Sequence, residues 1–252
     1  MRRRTALLLV AGGATAAVAA GALASGRLGG RRGPEAPTSP GEDLQYTVFA
    51  PGGPYGFMFN GPIGWASTKY MPIMQAGMYD LVGGMLDLRP EDDLLDIGCG
   101  PGAFLASKGQ RARTVAGLDV SPVMLRAAEK KLADRIAAGT ARVVPASAAE
   151  LPFGDGEFSA VSVISAPVNL AEAFRVLRPG GRFVCVFEIV PAPGKPDSER
   201  TAVGLGWDEA DTRRILEETG FTDLTVRYKD FSFLGSFLGA QRIVSCRTPA
   251  AS

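Results

Sequence analysis

The sequence predicts an α/β fold, a doubly wound and mostly parallel sheet that ends in a C-terminal antiparallel hairpin. Three observations carry this. From Asp93 onward, short apolar runs alternate with amphipathic stretches of helical period, the rhythm of β-α-β units. The first run, "LLDIGCGPGAF", ends in a turn with three glycines within five residues, as a strand-to-helix turn near a ligand requires. The last two strand-like runs, "TDLTVRYKDF" and "AQRIVSCR", are joined by "SFLGSFLG" and read as a closing antiparallel pair.

The elements follow in order. "MPIMQAGMYDLVGGMLDL" reads as an amphipathic helix before the sheet. "DLLDIG" is strand one, and "AFLASKG" opens a helix. "ARTVAGLDV" is strand two. "SPVMLRAAEKKLADRIAAG" reads as one long helix, with Ser121 at its N-cap, Pro122 in its first turn and Gly139 at its end. "ARVVPA" is strand three and "FSAVSVIS" strand four. "NLAEAFRVLRPGG" is a helix ended by Pro179, Gly180 and Gly181. "RFVCVFEIV" is strand five, apolar enough to be buried on both faces. "DEADTRRILEETGF" is the last helix.

The residues ahead of this unit divide in three. Residues 1–26 open with Arg2, Arg3 and Arg4 and run uncharged from Thr5 to Gly26. That length spans a bilayer, and "ALA" at Ala22–Ala24 resembles a signal-peptidase site. An anchor, an export signal and a mis-assigned start all fit. Residues 27–43, rich in Gly, Pro and charge, read as a flexible linker. Residues 44–77 form a lead-in segment. It holds seven of the chain's twenty aromatics among Gly and Pro, as a wrap over the core or a lid over an apolar acceptor would. Residues 78–247 form the α/β domain.

Composition excludes several chemistries. There is no histidine, so His-dependent triads, Cys-His pairs and His-based zinc sites are ruled out. Cys99, Cys185 and Cys246 are far apart with no C-x-x-C spacing, which predicts buried thiols and no metal site. Residues 1–32 hold six of the 27 basic residues and none of the 26 acids, leaving the rest at net −5. A mildly acidic body speaks against nucleic acid as a partner.

The glycine loop alone leaves two cofactors open. Gly98, Gly100 and Ala103 satisfy G-x-G-x-x-(G/A), and Asp119 lies where a ribose ligand belongs. An NAD(P)-binding oxidoreductase therefore fits that motif. Asp96, two residues before the first glycine, tips the balance. A carboxylate there repels a pyrophosphate and suits an α-ammonium.

The run "LLDIGCGPG" closely resembles motif I of the class I S-adenosylmethionine-dependent methyltransferases. "GLDVSPVML", "AAELPFGDGEFSAV", "RVLRPGGRFVCV" and "EETGF" resemble the family's later motifs in the family's order. The likeness covers roughly residues 78–247 and is greatest to the small-molecule branch with quinone and sterol methyltransferases. It implies the Rossmann-like, seven-stranded methyltransferase fold and S-adenosyl-L-methionine as cofactor. Asp96, Gly98, Gly100 and Gly102 match the methionine-binding loop, where Cys99 contributes mainly backbone. Asp119 matches the acid that binds both ribose hydroxyls, with Val120 and Met124 near the adenine. Ser147, beside Ala148, stands where the family usually has an Asp on the adenine amino group, and Ala149 replaces another common acid. Ser165 ends strand four under the sulfonium.

The expected function is in-line methyl transfer to a small acceptor. A non-catalytic cofactor-binding scaffold is the other alternative, because "SAPVNLAEAF" is shorter than the segment that often positions the acceptor in relatives. No catalytic residue transfers from that segment. Glu188, at the end of strand five, is the candidate base, and Tyr70 and Tyr79 are candidates to cap the cofactor. The aromatic lead-in and apolar N-terminus point to a lipophilic acceptor and to membrane association through residues 5–26. Because S-adenosylmethionine is a cytoplasmic metabolite, an anchor with the domain facing the cytoplasm is expected ahead of a soluble or exported protein.

Overall fold

A computed structural model describes residues 64, 66, 68–70, 73, 75–166, 168–190, 201–203, 209–230 and 240–251; for 187–190, 201–203, 230 and 240 it describes the backbone alone. The N-terminal segment 1–43 and most of the lead-in segment therefore lie outside the described residues. No helix among the described residues is long and apolar enough to cross a membrane.

The elements are α1 (Ala76–Leu86), β1 (Asp93–Ile97), α2 (Ala103–Ser107), β2 (Thr114–Asp119), α3 (Pro122–Lys131), α4 (Ala133–Ala137), β3 (Ala141–Pro145), β4 (Phe158–Ile164), α5 (Leu170–Val176), β5 (Leu177–Val190), β6 (Thr201–Val203), α6 (Glu209–Thr219), β7 (Thr222–Asp230) and β8 (Ala240–Arg247). The sheet runs β3-β2-β1-β4-β5-β8-β7. The first five strands are parallel, and β8 pairs antiparallel with both β5 and β7. This is the expected doubly wound sheet, with the C-terminal hairpin inserted so that β8 lies inside and β7 at the edge.

β6 was not foreseen. It pairs with β5 at Glu188–Val190, beyond the point where β4 stops. Glu188 has Gln241 of β8 on one side and Val203 of β6 on the other, so β6 continues the lane of β4.

The strands are buried because both faces are covered. On one face, α1 lays Met78, Val82 and Leu86 against Leu94, Val184, Val186 and Ile243. On the other, Leu216 and Phe221 pack with Leu95, Val161, Val163, Phe183 and Cys185. The three thiols are buried and unpaired, as expected.

The helix expected over 121–139 divides at Leu132, whose φ of −101° and ψ of 9° leave the helical region. Arg135 explains the break. Its guanidinium donates to the carbonyls of Gly109, Ala112, Arg113 and Thr140, and a turn tilted toward them satisfies all four. Helix α5 ends at Val176, three residues before Pro179, because Leu177 is already extended at ψ 138°. Arg178 then reaches the carbonyls of Gly156 and Glu157 and the carboxylate of Asp93.

A charged network ties the amino ends of the parallel strands. Asp93 accepts from Thr114 at 2.6 Å and pairs with Arg113 at 2.5 Å and Arg178 at 2.6 Å. Asp92 pairs with Arg182 and accepts from Ser159 at 2.7 Å. Burial works against ionisation of Asp93, yet the bonds from Arg113, Thr114 and Arg178 hold its carboxyl down at about 2. Thr248 joins the C-terminal tail to this edge by accepting from the Gly181 N–H and donating to the Arg178 carbonyl.

Candidate functional site

The site lies at the opposite, carboxyl edge of the sheet, where such folds bind ligands. β1 ends at Ile97, and Gly98, Gly100 and Gly102 follow with φ of 70°, 52° and 70°. Two of these glycines are required by close contact. A methyl group on Gly98 would sit 2.2 Å from the Ala166 Cβ; one on Gly102 would meet the Ala128 Cβ at 2.9 Å and its backbone at 3.0 Å. Beside Gly100 there is open space within 4 Å, so bare backbone faces room for a ligand.

Asp119 organises this loop. It accepts from the Gly100 N–H at 2.9 Å and from the Ser121 N–H at 2.8 Å. Burial raises its pKa against the pull of these bonds. Cys99 donates its N–H to the Leu118 carbonyl at 2.9 Å. Its thiol packs on Gly117, where a Cβ would lie 2.8 Å from the sulfur. Cys99 thus offers the ligand backbone only.

Asp96 is 3% exposed. It lies beside Ser162 of β4 in register, and the Ser162 hydroxyl donates to it at 2.7 Å. Among the described residues no Lys or Arg pairs with it. Burial pushes its carboxyl up to about 7; the Ser162 bond opposes the rise and the nearby Asp119 adds to it. A buried carboxylate with no counter-ion is costly, and a cationic ligand group would remove that cost.

Tyr79, on α1, is buried and tilted against Phe104 at 5.8 Å between ring centroids. Its hydroxyl donates to Gln75 at 2.7 Å. Burial, and then the charge of Asp96, push its pKa up, so it is a neutral donor beside the loop. Tyr70 is half exposed and joins none of these contacts.

The remaining candidates divide. Met124 is buried at the start of α3, its N–H bound to the Ser121 hydroxyl at 3.3 Å. Val120 is half-buried. The Ala146 N–H donates to the Asp119 carbonyl, which brings the segment after β3 to the site. Ser147 in that segment is exposed, and its hydroxyl accepts from the Ala149 N–H at 3.1 Å. Ala148 turns into the core. Ser165 follows β4 with φ 53°. Its N–H donates to the Val186 carbonyl at 3.2 Å, and its buried hydroxyl has no partner among the described residues. The Glu188 side chain lies outside the described residues. No group of acids and thiols among those described could hold a metal.

Asp96, the three glycines, Asp119, Tyr79 and Ser165 therefore belong to one site. Ser162 and Gln75 belong to it as well and were not foreseen. The only signal for Ser162 was a serine inside the apolar run "FSAVSVIS".

Comparison with known proteins gives the following likenesses. Residues 95–185 match a family described as "Methyltransferase domain". The chain is 35% identical over 112 residues to a demethylmenaquinone methyltransferase of Symbiobacterium thermophilum, covering 39% of this chain and 43% of the relative. It is 36% identical over 129 residues to a nocamycin O-methyltransferase of Saccharothrix syringae, covering 42% of this chain and 46% of the relative. The chain thus spans under half the length of these two relatives. Among solved structures, a geranyl diphosphate C-methyltransferase from Streptomyces coelicolor A3(2), in complex with Mg2+, geranyl-S-thiolodiphosphate and S-adenosyl-L-homocysteine, superposes with TM-score 0.54 at 17% identity. It covers 68% of this chain and 75% of that one. The cyclase SpnF superposes with TM-score 0.53 at 21% identity, covering 69% and 80%. Likeness at that identity establishes the shared fold, which has been put to more than one chemistry.

Proposed function

We propose, from the premise that this chain carries a class I methyltransferase domain, that the protein transfers a methyl group from S-adenosylmethionine to a small acceptor. The observation that carries the reading is Asp96, a buried carboxylate with no counter-ion among the described residues, at the mouth of the glycine loop. A pyrophosphate would be repelled there; an α-ammonium would be held.

The residues present fit the cofactor. Asp96 would take the ammonium, and the bare backbone at Gly100 lies beside the open space. Asp119 would take the ribose hydroxyls from its place under the loop. Tyr79 and Phe104 would close the loop's outer side, and Met124 and Val120 would border the base. Ser147 is the weak point, since it accepts a bond from its own turn where relatives place a carboxylate. The bound cofactor supplies a methyl group on a sulfonium. With it in place, the acceptor would form its new bond to carbon as the S–CH3 bond breaks, the electron pair would stay on the departing neutral thioether, and the acceptor's proton would go to a base or to water. This chain's part is to align and to exclude water. Where a proton has to leave, Glu188 is the proposed base; it stands at the carboxyl end of β5, in register with Gln241 and Val203.

The demethylmenaquinone and nocamycin methyltransferases among the relatives support a small-molecule acceptor, and the aromatic lead-in with the apolar N-terminus supports a lipophilic one. Residues 5–26 are proposed to hold the domain at the membrane on its cytoplasmic side. Removing residues 1–43 should then lower turnover on membrane-embedded acceptors and leave cofactor affinity unchanged. Equal turnover of both forms on such acceptors would refute the anchor. Calorimetry with S-adenosylmethionine, S-adenosylhomocysteine and NADH tests the central reading: binding of NADH without S-adenosylhomocysteine would overturn it.

A further inference from the structure

Ser165 stands out twice. It is a non-glycine residue in the left-handed region at φ 53°, a conformation that L side chains adopt at a cost and that clusters at functional sites. It also buries a hydroxyl with no partner among the described residues. Folding disfavours an unmet buried hydroxyl, so the position combines two unfavourable features.

Both are fixed by the surroundings. On one side, Ala166 is pressed against Gly98, at a spot where even a methyl group on the glycine would not fit. On the other, the Ser165 N–H is held by the Val186 carbonyl of β5. The turn is clamped between the glycine loop and β5, and the serine cannot relax without disturbing one of them.

Its place in the sheet says what the hydroxyl is for. The strands run β2, β1, β4, β5. Asp119 ends β2, Asp96 lies near the end of β1 and Ser165 follows β4. A cofactor with its ribose at Asp119 and its ammonium at Asp96 therefore has Ser165 as its next neighbour across the sheet. Beyond Ser165 the lane of β4 continues as β6, supplied by the segment after β5. The link from β4 to α5 is only Ser165–Asn169.

We infer that Ser165 is a specificity-determining residue whose hydroxyl binds an oxygen of the acceptor beside the methyl donor, so that this site selects hydroxylated or carbonyl-bearing acceptors over pure hydrocarbons of the same shape. The inference rests on the methyltransferase reading above. A serine hydroxyl both donates and accepts, so it serves a phenol, an enol or a ketone equally. With no histidine in the chain, a neutral hydroxyl at that spot also orients an acceptor without carrying a charge.

The test uses the full chain and the dead-end complex with S-adenosylhomocysteine. The probes are 2-naphthol and naphthalene, which differ only in the oxygen. The protein–S-adenosylhomocysteine complex should bind 2-naphthol more tightly than naphthalene. Ser165→Ala should weaken 2-naphthol about fivefold, as loss of one neutral hydrogen bond does, and leave naphthalene and S-adenosylhomocysteine within twofold. Ser165→Gly, which also relieves the backbone strain, should raise the melting temperature and show the same loss of 2-naphthol. Equal weakening of both probes would make Ser165 a packing residue and overturn the inference, as would a wild-type complex with no preference for 2-naphthol. Weaker S-adenosylhomocysteine in Ser165→Ala would assign the hydroxyl to the cofactor and overturn it too. Failure of the wild type to bind S-adenosylhomocysteine at all is a different result, which overturns the methyltransferase reading itself.

Discussion

Replacing Asp96 with Asn should make the ligand-free protein more stable and the cofactor complex weaker. The two effects have one origin. Burial holds the carboxyl up near 7, far above its value in the unfolded chain. Between about pH 4 and pH 7 the folded protein keeps a proton that the unfolded chain has lost, so ligand-free stability falls as pH rises through that window. Each pKa unit is worth about 1.4 kcal/mol, so the full penalty above about pH 7 is about 4 kcal/mol. Asp96→Asn keeps an acceptor for the Ser162 hydroxyl and removes the charge. It leaves an amide N–H₂ to satisfy, which returns about 1–3 kcal/mol. The net gain near pH 8 should be about 1–3 kcal/mol, or roughly 2–12 °C in melting temperature.

Cofactor binding should move the other way. Losing a hydrogen bond between charged groups costs about 1.5–3 kcal/mol, a weakening of S-adenosylhomocysteine by roughly 10- to 150-fold. In the wild type, binding needs Asp96 ionised, so affinity should fall about tenfold per pH unit below about pH 7. The variant should show no such slope. Calorimetric titrations across pH 5.5–8.5, paired with thermal melts of the ligand-free protein, read both arms. A variant that binds S-adenosylhomocysteine within twofold of wild type, or that melts lower near pH 8, would refute the reasoning.

Three more outcomes follow from the same geometry. Ser162→Ala removes the hydroxyl that favours ionised Asp96, so it should weaken S-adenosylhomocysteine about fivefold at neutral pH, with the loss shrinking as pH rises; titration at two pH values checks it. Gly102→Ala combines a φ of 70° with a clash against the Ala128 backbone at 3.0 Å, and should destabilise the fold by about 1–3 kcal/mol in urea unfolding. The low carboxyl of Asp93 contributes stability that is present above about pH 4 and lost as pH falls toward about 2, about 2 kcal/mol in all. Asp93→Asn should flatten that part of the acid-unfolding curve.

What was legible in the sequence was what local chemistry decides. The run ending in Gly98, Gly100 and Gly102 announced the turn because only glycine takes those angles without strain. Ser121 and Pro122 marked the start of α3 because cap and first turn are neighbours in sequence. The break at Leu132 was not legible, since it is set by carbonyls that Arg135 meets from as far back as Gly109. Leu177 fits a helix or a strand equally well, and the difference is made by contacts distant in sequence, such as those of Arg178 with Gly156, Glu157 and Asp93. Within the site, Asp96 could be read from its spacing to the glycines. Ser162 could not, because its importance comes from the register of β4 on β1, and Gln75 depends on Tyr79 being packed away from water. Ser147, where the resemblance implies a contact to the adenine amino group, has a hydroxyl that accepts from its own turn, a loop geometry that spacing does not report.

The charged network at the amino edge has a consequence for how this chain can change. Asp92, Asp93, Arg113, Arg178 and Arg182 fasten β1, β2 and β5 at the end remote from the ligand, and Thr248 fastens the C-terminal tail to the same place. The link after β4 leaves the sheet from the other, carboxyl end, where the cofactor and acceptor are proposed to bind. Anchorage and the proposed ligand site therefore draw on different residues. Segments at the carboxyl edge can be exchanged or lengthened, by selection or by design, while the footing of the sheet stays as it is.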